Sequence, residues 1–230
     1  MIQTKPMNAL TLGSLILGLL ALGVGAFLAF TAPPDANQGH VYRIIFLHVP
    51  SAWVGLVALF IAVAYSVLYL ATGKPHYDRV ATAVIEVALL FLSLTLLSGM
   101  LWGRPTWGVY WTWEPRLTPF AILLVVCIGY FVVRSAIEDP ELRGKASAAI
   151  SILGAVNVPI TYMSVKWWRS IHQTQTFDPT TGRSNFDPAM LPALLVNILA
   201  FSILFLAFVR IRSLLAEREA VRQEISPQVG

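Results

Sequence analysis

Trp102–Thr118 reads WGRPTWGVYWTWEPRLT, and its placement decides how the rest of the chain is arranged. It holds four tryptophans, one tyrosine, two arginines and one glutamate, and it is punctuated by Pro105, Gly108 and Pro115. No hydrophobic core needs indoles at this density. Val80–Leu101 precedes it and Thr118–Ile137 follows it, both apolar and both near the ~20 residues that cross a bilayer core as a helix. The segment therefore belongs at a membrane face, between two spans.

Composition points the same way. Of 230 residues, 57% are hydrophobic and only 12% charged, the profile of an integral membrane protein. The net charge of +4 does not indicate nucleic acid, because the basic residues are scattered over connections and the tail without an interleaved aromatic ladder. The single cysteine, Cys127, excludes a disulfide framework, a CxxC redox pair and a CxxCH haem-attachment site in this chain.

Outward from the tryptophan segment, the apolar pattern predicts an all-α fold of six transmembrane helices in one transmembrane domain over residues 1–230. The helices are expected at 8–31, 50–72, 80–101, 118–137, 146–166 and 190–209, with the tryptophan segment at 102–118 and a charged tail at 210–230. The first apolar run is longer than a signal-peptide core of about 7–15 residues and reads as a retained helix. Pro50 is expected to open the second helix, leaving Val41–Val49 as an interfacial lead-in with Arg43 and His48. Thr118-Pro119 reads as an N-cap and first helical residue. Asn157 and Pro159 predict a kink in the fifth helix. Glu86 is an intramembrane carboxylate, which reads as a polar contact near the headgroups or as a functional group.

The connections on one side, with the termini, hold ten Lys and Arg, Lys5 among them, and those on the other side hold six. The positive-inside bias therefore puts both termini in the cytoplasm. All seven tryptophans then fall at the outer end: Trp53, Trp102, Trp107, Trp111, Trp113, Trp167 and Trp168. An aromatic belt would populate both interfaces. His48 and His172 lie at that same end, each beside tryptophans, and His40 is a weaker candidate there. If the fifth helix continues outward, Trp168 and His172 share a face. Two imidazoles from separate connections, above an aromatic floor, suit a bis-histidine haem iron, with Arg43, Arg104, Arg116 and Arg169 available to its propionates. No HExxH or cysteine spacing supports zinc, and no P-loop is present.

The segment also resembles the WWD signature, WGxxWxWDxRLT, of membrane haem-handling proteins in cytochrome c biogenesis. LHVPSAW around His48 and SVKWWRSIHQ around His172 extend the likeness to the haem exporter protein C (CcmC) family over nearly the whole chain. By that resemblance His48 and His172 match axial haem ligands. Trp107, Gly108, Trp111, Trp113, Arg116, Leu117 and Thr118 match the platform, and Glu114 stands where the family has aspartate. Trp53, Trp167, Trp168 and Arg43 complete the expected haem surface. The resemblance implies a non-enzymatic role in the bacterial inner membrane: non-covalent binding of haem b at the periplasmic face and its presentation to the haem chaperone CcmE. It also implies partnership with the ATP-binding cassette subunits CcmA and CcmB and the small subunit CcmD. Three other readings stay open: a permease for haem or another small molecule, with Glu86 and Asn157 as its polar path; a bis-histidine cytochrome b; and a purely structural subunit of a transport complex.

Overall fold

The computed structural model describes residues 8–172, 177–178, 180–184 and 186–225; Lys5 and the last five residues of the tail lie outside that set. The architecture is helical, apart from a two-residue antiparallel pairing of β1 (Phe177–Asp178) with β2 (Arg183–Ser184). The helices are α1 (Ala9–Thr31), α2 (Ile45–Thr72), α3 (Pro75–Trp107), α4 (Leu117–Ala136), α5 (Pro140–Ala155), α6 (Asn157–Trp167) and α7 (Leu191–Ile225). A 3-10 turn at His40–Ile44 leads into α2. Among the described residues six helical stretches are long and apolar enough to cross a membrane, with α5 and α6 together forming the fifth.

Several boundaries differ from the sequence reading. The second helix begins at Ile45, not Pro50, so of the expected lead-in Val41–Val49 only Val41–Ile44 lies outside α2. Pro50 deprives only the Phe46 carbonyl of its helical partner, whereas a break at Val49 would strand several backbone groups in an apolar layer. The third helix runs from Pro75 to Trp107, so the first third of the tryptophan segment is helical. It stops at Gly108, whose φ of 79° is left-handed and whose N–H reaches the Arg104 carbonyl. The fourth helix starts at Leu117, one residue before the expected Thr118 cap, because another side chain caps it. The fifth span starts at Pro140, capped by Asp139, and breaks at Val156 beside the expected kink residues. Asn157 Nδ2 donates to the Pro119 carbonyl at 2.7 Å, which ties the break to α4. The sixth span continues unbroken through the charged tail to Ile225.

Consecutive spans run antiparallel, and α2 and α3 form the most extensive helix pair, with α7 packed on both. Ala58 and Ala62 of α2, Ala88 and Leu92 of α3 and Phe201 and Phe205 of α7 meet in the main core. Small residues set the close approaches, since lipid offers no hydrophobic drive between helices. A Cβ on Gly55 would lie 2.8 Å from the Leu92 side chain. A second cluster joins Ile45, Phe46, Trp102, Met190 and Leu194 at the tryptophan end.

α1 docks on α7. Asn197 is buried and its Nδ2 donates to the Gly25 and Ala193 carbonyls at 3.0 and 2.7 Å. A Cβ on Gly25 would come within 2.6 Å of Asn197 Oδ1, whereas Gly13 has nothing within 4 Å. Gly25→Ala is expected to displace Asn197 at a cost of about 1–3 kcal/mol. In detergent its unfolding midpoint should fall by about 2–10 °C, while Gly13→Ala leaves it unchanged.

Glu86 Oε2 accepts from Arg212 Nε of α7 at 2.7 Å, and two turns earlier on α3 Asp78 takes both terminal nitrogens of Arg134.

Candidate functional site

The tryptophan end is built from the tops of α2, α3, α4, α6 and α7. His48 sits in the first turn of α2, one helical turn above Ser51, and not in a connection as the sequence suggested. α3 receives it with a face of small and polar residues: Thr95, Ser98, Gly99 and Trp102, spaced i, i+3, i+4 and i+7. A methyl on Gly99 would stand 2.9 Å from His48 Cε1, so only glycine leaves room for the ring. Trp102 is buried and packs edge-to-face on His48, with centroids 5.6 Å apart and planes at 77°. Its Nε1 donates to Gln38 Oε1 at 2.8 Å, and Tyr42 braces it from another side.

Ser98 Oγ lies 3.1 Å from both the Thr95 carbonyl and His48 Nδ1. When the hydroxyl donates to that carbonyl it accepts from Nδ1–H, and this tautomer leaves the Nε2 lone pair for a metal.

Glu114 organises the second half of the site. It is buried in a segment where its neighbours are not. Oε1 accepts the N–H groups of Arg116 and Leu117 at 3.0 and 2.7 Å, capping α4 in place of Thr118. Oε2 accepts a hydrogen bond from Ser170 Oγ, and Ser170 Oγ in turn accepts the His172 N–H at 3.0 Å. One carboxylate thus fixes the start of α4 and the chain carrying His172. Both Glu114 oxygens are thereby in use, Oε1 on α4 and Oε2 on Ser170.

α6 ends at Trp167, and Trp168 is extended, with φ −130° and ψ 155°. Trp168 and His172 therefore do not share a helical face; the Ser170 tie replaces that expected geometry. The His172 ring lies 5.8 Å from the Trp107 ring, so Trp102 and Trp107 of α3 each back one histidine. The two imidazoles lie within electrostatic reach of each other, as does Arg116 of His48. Two nitrogens cannot by themselves satisfy a bare ion, and among the described residues no group of three or more His, Cys, Asp or Glu could hold one. The donor set fits a metal that brings its own equatorial ligands, as a porphyrin does.

Trp111 and Trp113 form an edge-to-face pair at 5.3 Å, with Trp113 78% exposed. Trp167 and Trp168 form another at 5.8 Å, both about half exposed. Trp53 stands half exposed on α2, and among the described residues no ring packs on it. Gly108 serves as the left-handed stop of α3.

Of the four expected anion-binding arginines, Arg43 and Arg116 are committed to backbone carbonyls of other elements, and Arg104 and Arg169 are exposed. Arg43 donates to the Ala32 carbonyl at 2.6 Å, closing the end of α1. Arg116 donates to the Thr161 and Tyr162 carbonyls at 2.9 and 3.0 Å and lies over the Tyr162 ring, binding the segment to α6. Arg104 donates to the Gly108 carbonyl. Arg169 is exposed beside Trp168. Below this rim Tyr162 Oη donates to the Phe177 carbonyl, and Lys166 hydrogen-bonds Asp178 and holds its carboxyl well below the usual carboxylate range.

Ser98, Gly99 and Ser170 escaped the sequence reading. The first two had a signal, small residues at helical spacing from Trp102 within an apolar span. Ser170 had none.

Residues 4–226 match the CcmC family, Heme exporter protein C. A protein named Heme exporter protein C from Bradyrhizobium diazoefficiens is 36% identical over 187 residues, 81% of this chain and 71% of that relative. The protein of the same name from Escherichia coli (strain K12) is 34% identical over 216 residues, 92% and 86% of the two chains. A putative cytochrome c biosynthesis ccmC-like mitochondrial protein from Arabidopsis thaliana is 31% identical over 215 residues, 92% and 78%.

Proposed function

This chain belongs to the haem exporter protein C family, and from that premise we propose that it is a haem-holding scaffold which presents its cargo at one membrane face for cytochrome c maturation. The tryptophan-rich end would hold haem b without a covalent bond, and His48 and His172 would supply the nitrogens to its iron. Trp107, Trp111 and Trp113 flank the ring, Trp167 and Trp168 border it, and Arg169 and Arg104 meet the propionates. Arg43 and Arg116 hold the frame to which those groups are attached. The exposed edge at Trp113 is where the haem chaperone CcmE docks, so that its own histidine reaches the porphyrin. The face is periplasmic, both termini are cytoplasmic, and CcmA, CcmB and CcmD are the neighbouring subunits in the inner membrane.

The observation that carries this reading is that two imidazoles are each backed by a tryptophan of α3, with His48 Nδ1 3.1 Å from Ser98 Oγ. When bound, the porphyrin iron supplies the electrophilic centre that orients the macrocycle. The chain itself orients two nitrogens and shields the ring faces from water. The direct test is the absorption spectrum of protein purified after co-expression with the chaperone. A low-spin, six-coordinate b-type spectrum is expected, and haem-free protein would overturn the proposal.

Ser98→Ala gives a finer test. It removes the acceptor for Nδ1–H and frees the tautomer, which should weaken haem binding by about 10–100-fold. A haem titration followed by absorbance reads this directly, and Ser98→Thr should restore most of the affinity.

A further inference from the structure

We propose that the end of the bundle away from the tryptophans binds the headgroup phosphate of an anionic phospholipid, in the groove between α4 and α7. α3 is the floor of that groove: α4 and α7 both pack on it and scarcely touch each other. Arg79, Thr82 and Glu86 of α3, Arg134 of α4 and Arg212 of α7 line a cavity of about 90 Å³ there.

The charges around it do not balance. Asp78 occupies both terminal nitrogens of Arg134, at 2.7 and 2.9 Å. Glu86 meets Arg212 through Nε alone. Arg79 pairs with no carboxylate among the described residues. Three guanidiniums facing two carboxylates leave one positive charge, and it stands in the first turns of α3, where the helix dipole also favours an anion.

Depth and direction select the ligand. Counting about 20 residues of span back along α3 from Trp102 puts the edge of the hydrocarbon near Thr82, so the cavity lies at headgroup level. The Glu86 and Arg212 side chains are 40% and 34% exposed, on the lateral side of the bundle. An ion pair turned towards acyl chains is costly unless a polar group covers it. A phosphodiester carried on two acyl chains does this: the chains lie in the groove and the phosphate sits on Arg79 and the free fork of Arg212. Basic pockets between spans suit such headgroups, each arginine contributing about fivefold in affinity.

The test titrates purified protein in detergent with phosphatidylglycerol, with phosphatidylcholine of the same chains, and with inorganic phosphate, counting bound lipid by native mass spectrometry. Phosphatidylglycerol should be retained in preference to phosphatidylcholine. Arg79→Gln should lower its binding about fivefold. Glu86→Gln should raise it, a change of opposite sign that misfolding does not mimic. Equimolar phosphate should leave the lipid in place. Equal retention of the two lipids, an unaltered Arg79→Gln, or displacement by phosphate would each overturn the assignment.

Discussion

His48→Ala is expected to lower haem affinity more than 100-fold, beyond the roughly 10–100-fold that loss of a supporting residue costs at a metal site. The reasoning is geometric. His48 is held on three sides, by Gly99, by the Trp102 edge and by the Ser98 hydroxyl, so no neighbouring nitrogen can swing into its place. Alanine leaves a void beside Trp102 but no stranded charge, and the second core cluster still joins α2, α3 and α7. The variant should therefore purify as a folded, haem-poor protein. Added free imidazole should restore a low-spin spectrum by filling the void, which separates lost ligation from lost fold. His172→Ala should also lose six-coordination. Normal haem loading in the double variant would dismiss both histidines as ligands.

The second large effect concerns Glu114, whose two oxygens have separable duties. Glu114→Ala removes the cap of α4, at about 1 kcal/mol, together with the anchor of Ser170. Losing the anchor of a charge-assisted hydrogen bond should cost about tenfold in haem affinity. Glu114→Asp keeps a carboxylate near the capping amides and withdraws it from Ser170 by one methylene. Its thermal stability should stay near wild type, while its low-spin fraction falls with that of Ser170→Ala. Identical haem spectra for wild type, Glu114→Asp and Glu114→Ala would remove the Ser170 bridge from any part in aligning His172.

The spans themselves were readable because lipid demands about 20 consecutive apolar residues, and that demand is written locally. Proline was the weak guide. Pro50 reads as a helix start yet lies inside α2, where a break would strand more backbone groups than the proline does. Pro119 does sit in the first turn of α4, two residues later than its pairing with Thr118 suggests. The paired histidines were legible because both sit beside tryptophans. What joins them was not. Ser170 meets Glu114 across 56 residues, and Trp102 meets Gln38 across 64, contacts that no local pattern encodes. The arginines show the same limit: their charge is plain in the sequence, but Arg43 and Arg116 are committed to backbone carbonyls that only the fold brings near.

The docking of α1 bears on how the protein is made. α1 packs chiefly on α7, and Asn197 is synthesised 172 residues after the Gly25 carbonyl it binds. At about 5–20 residues per second, the first span waits roughly 10–30 s before its partner exists. During that time its α7-facing side has no protein partner. Its interior carries no Asp, Glu, Lys or Arg, and its landing points for α7 are glycines, which ask nothing of the bilayer while unoccupied. The polar half of the contact, Asn197, rides on the helix that arrives last, when the carbonyl that receives it is already in place.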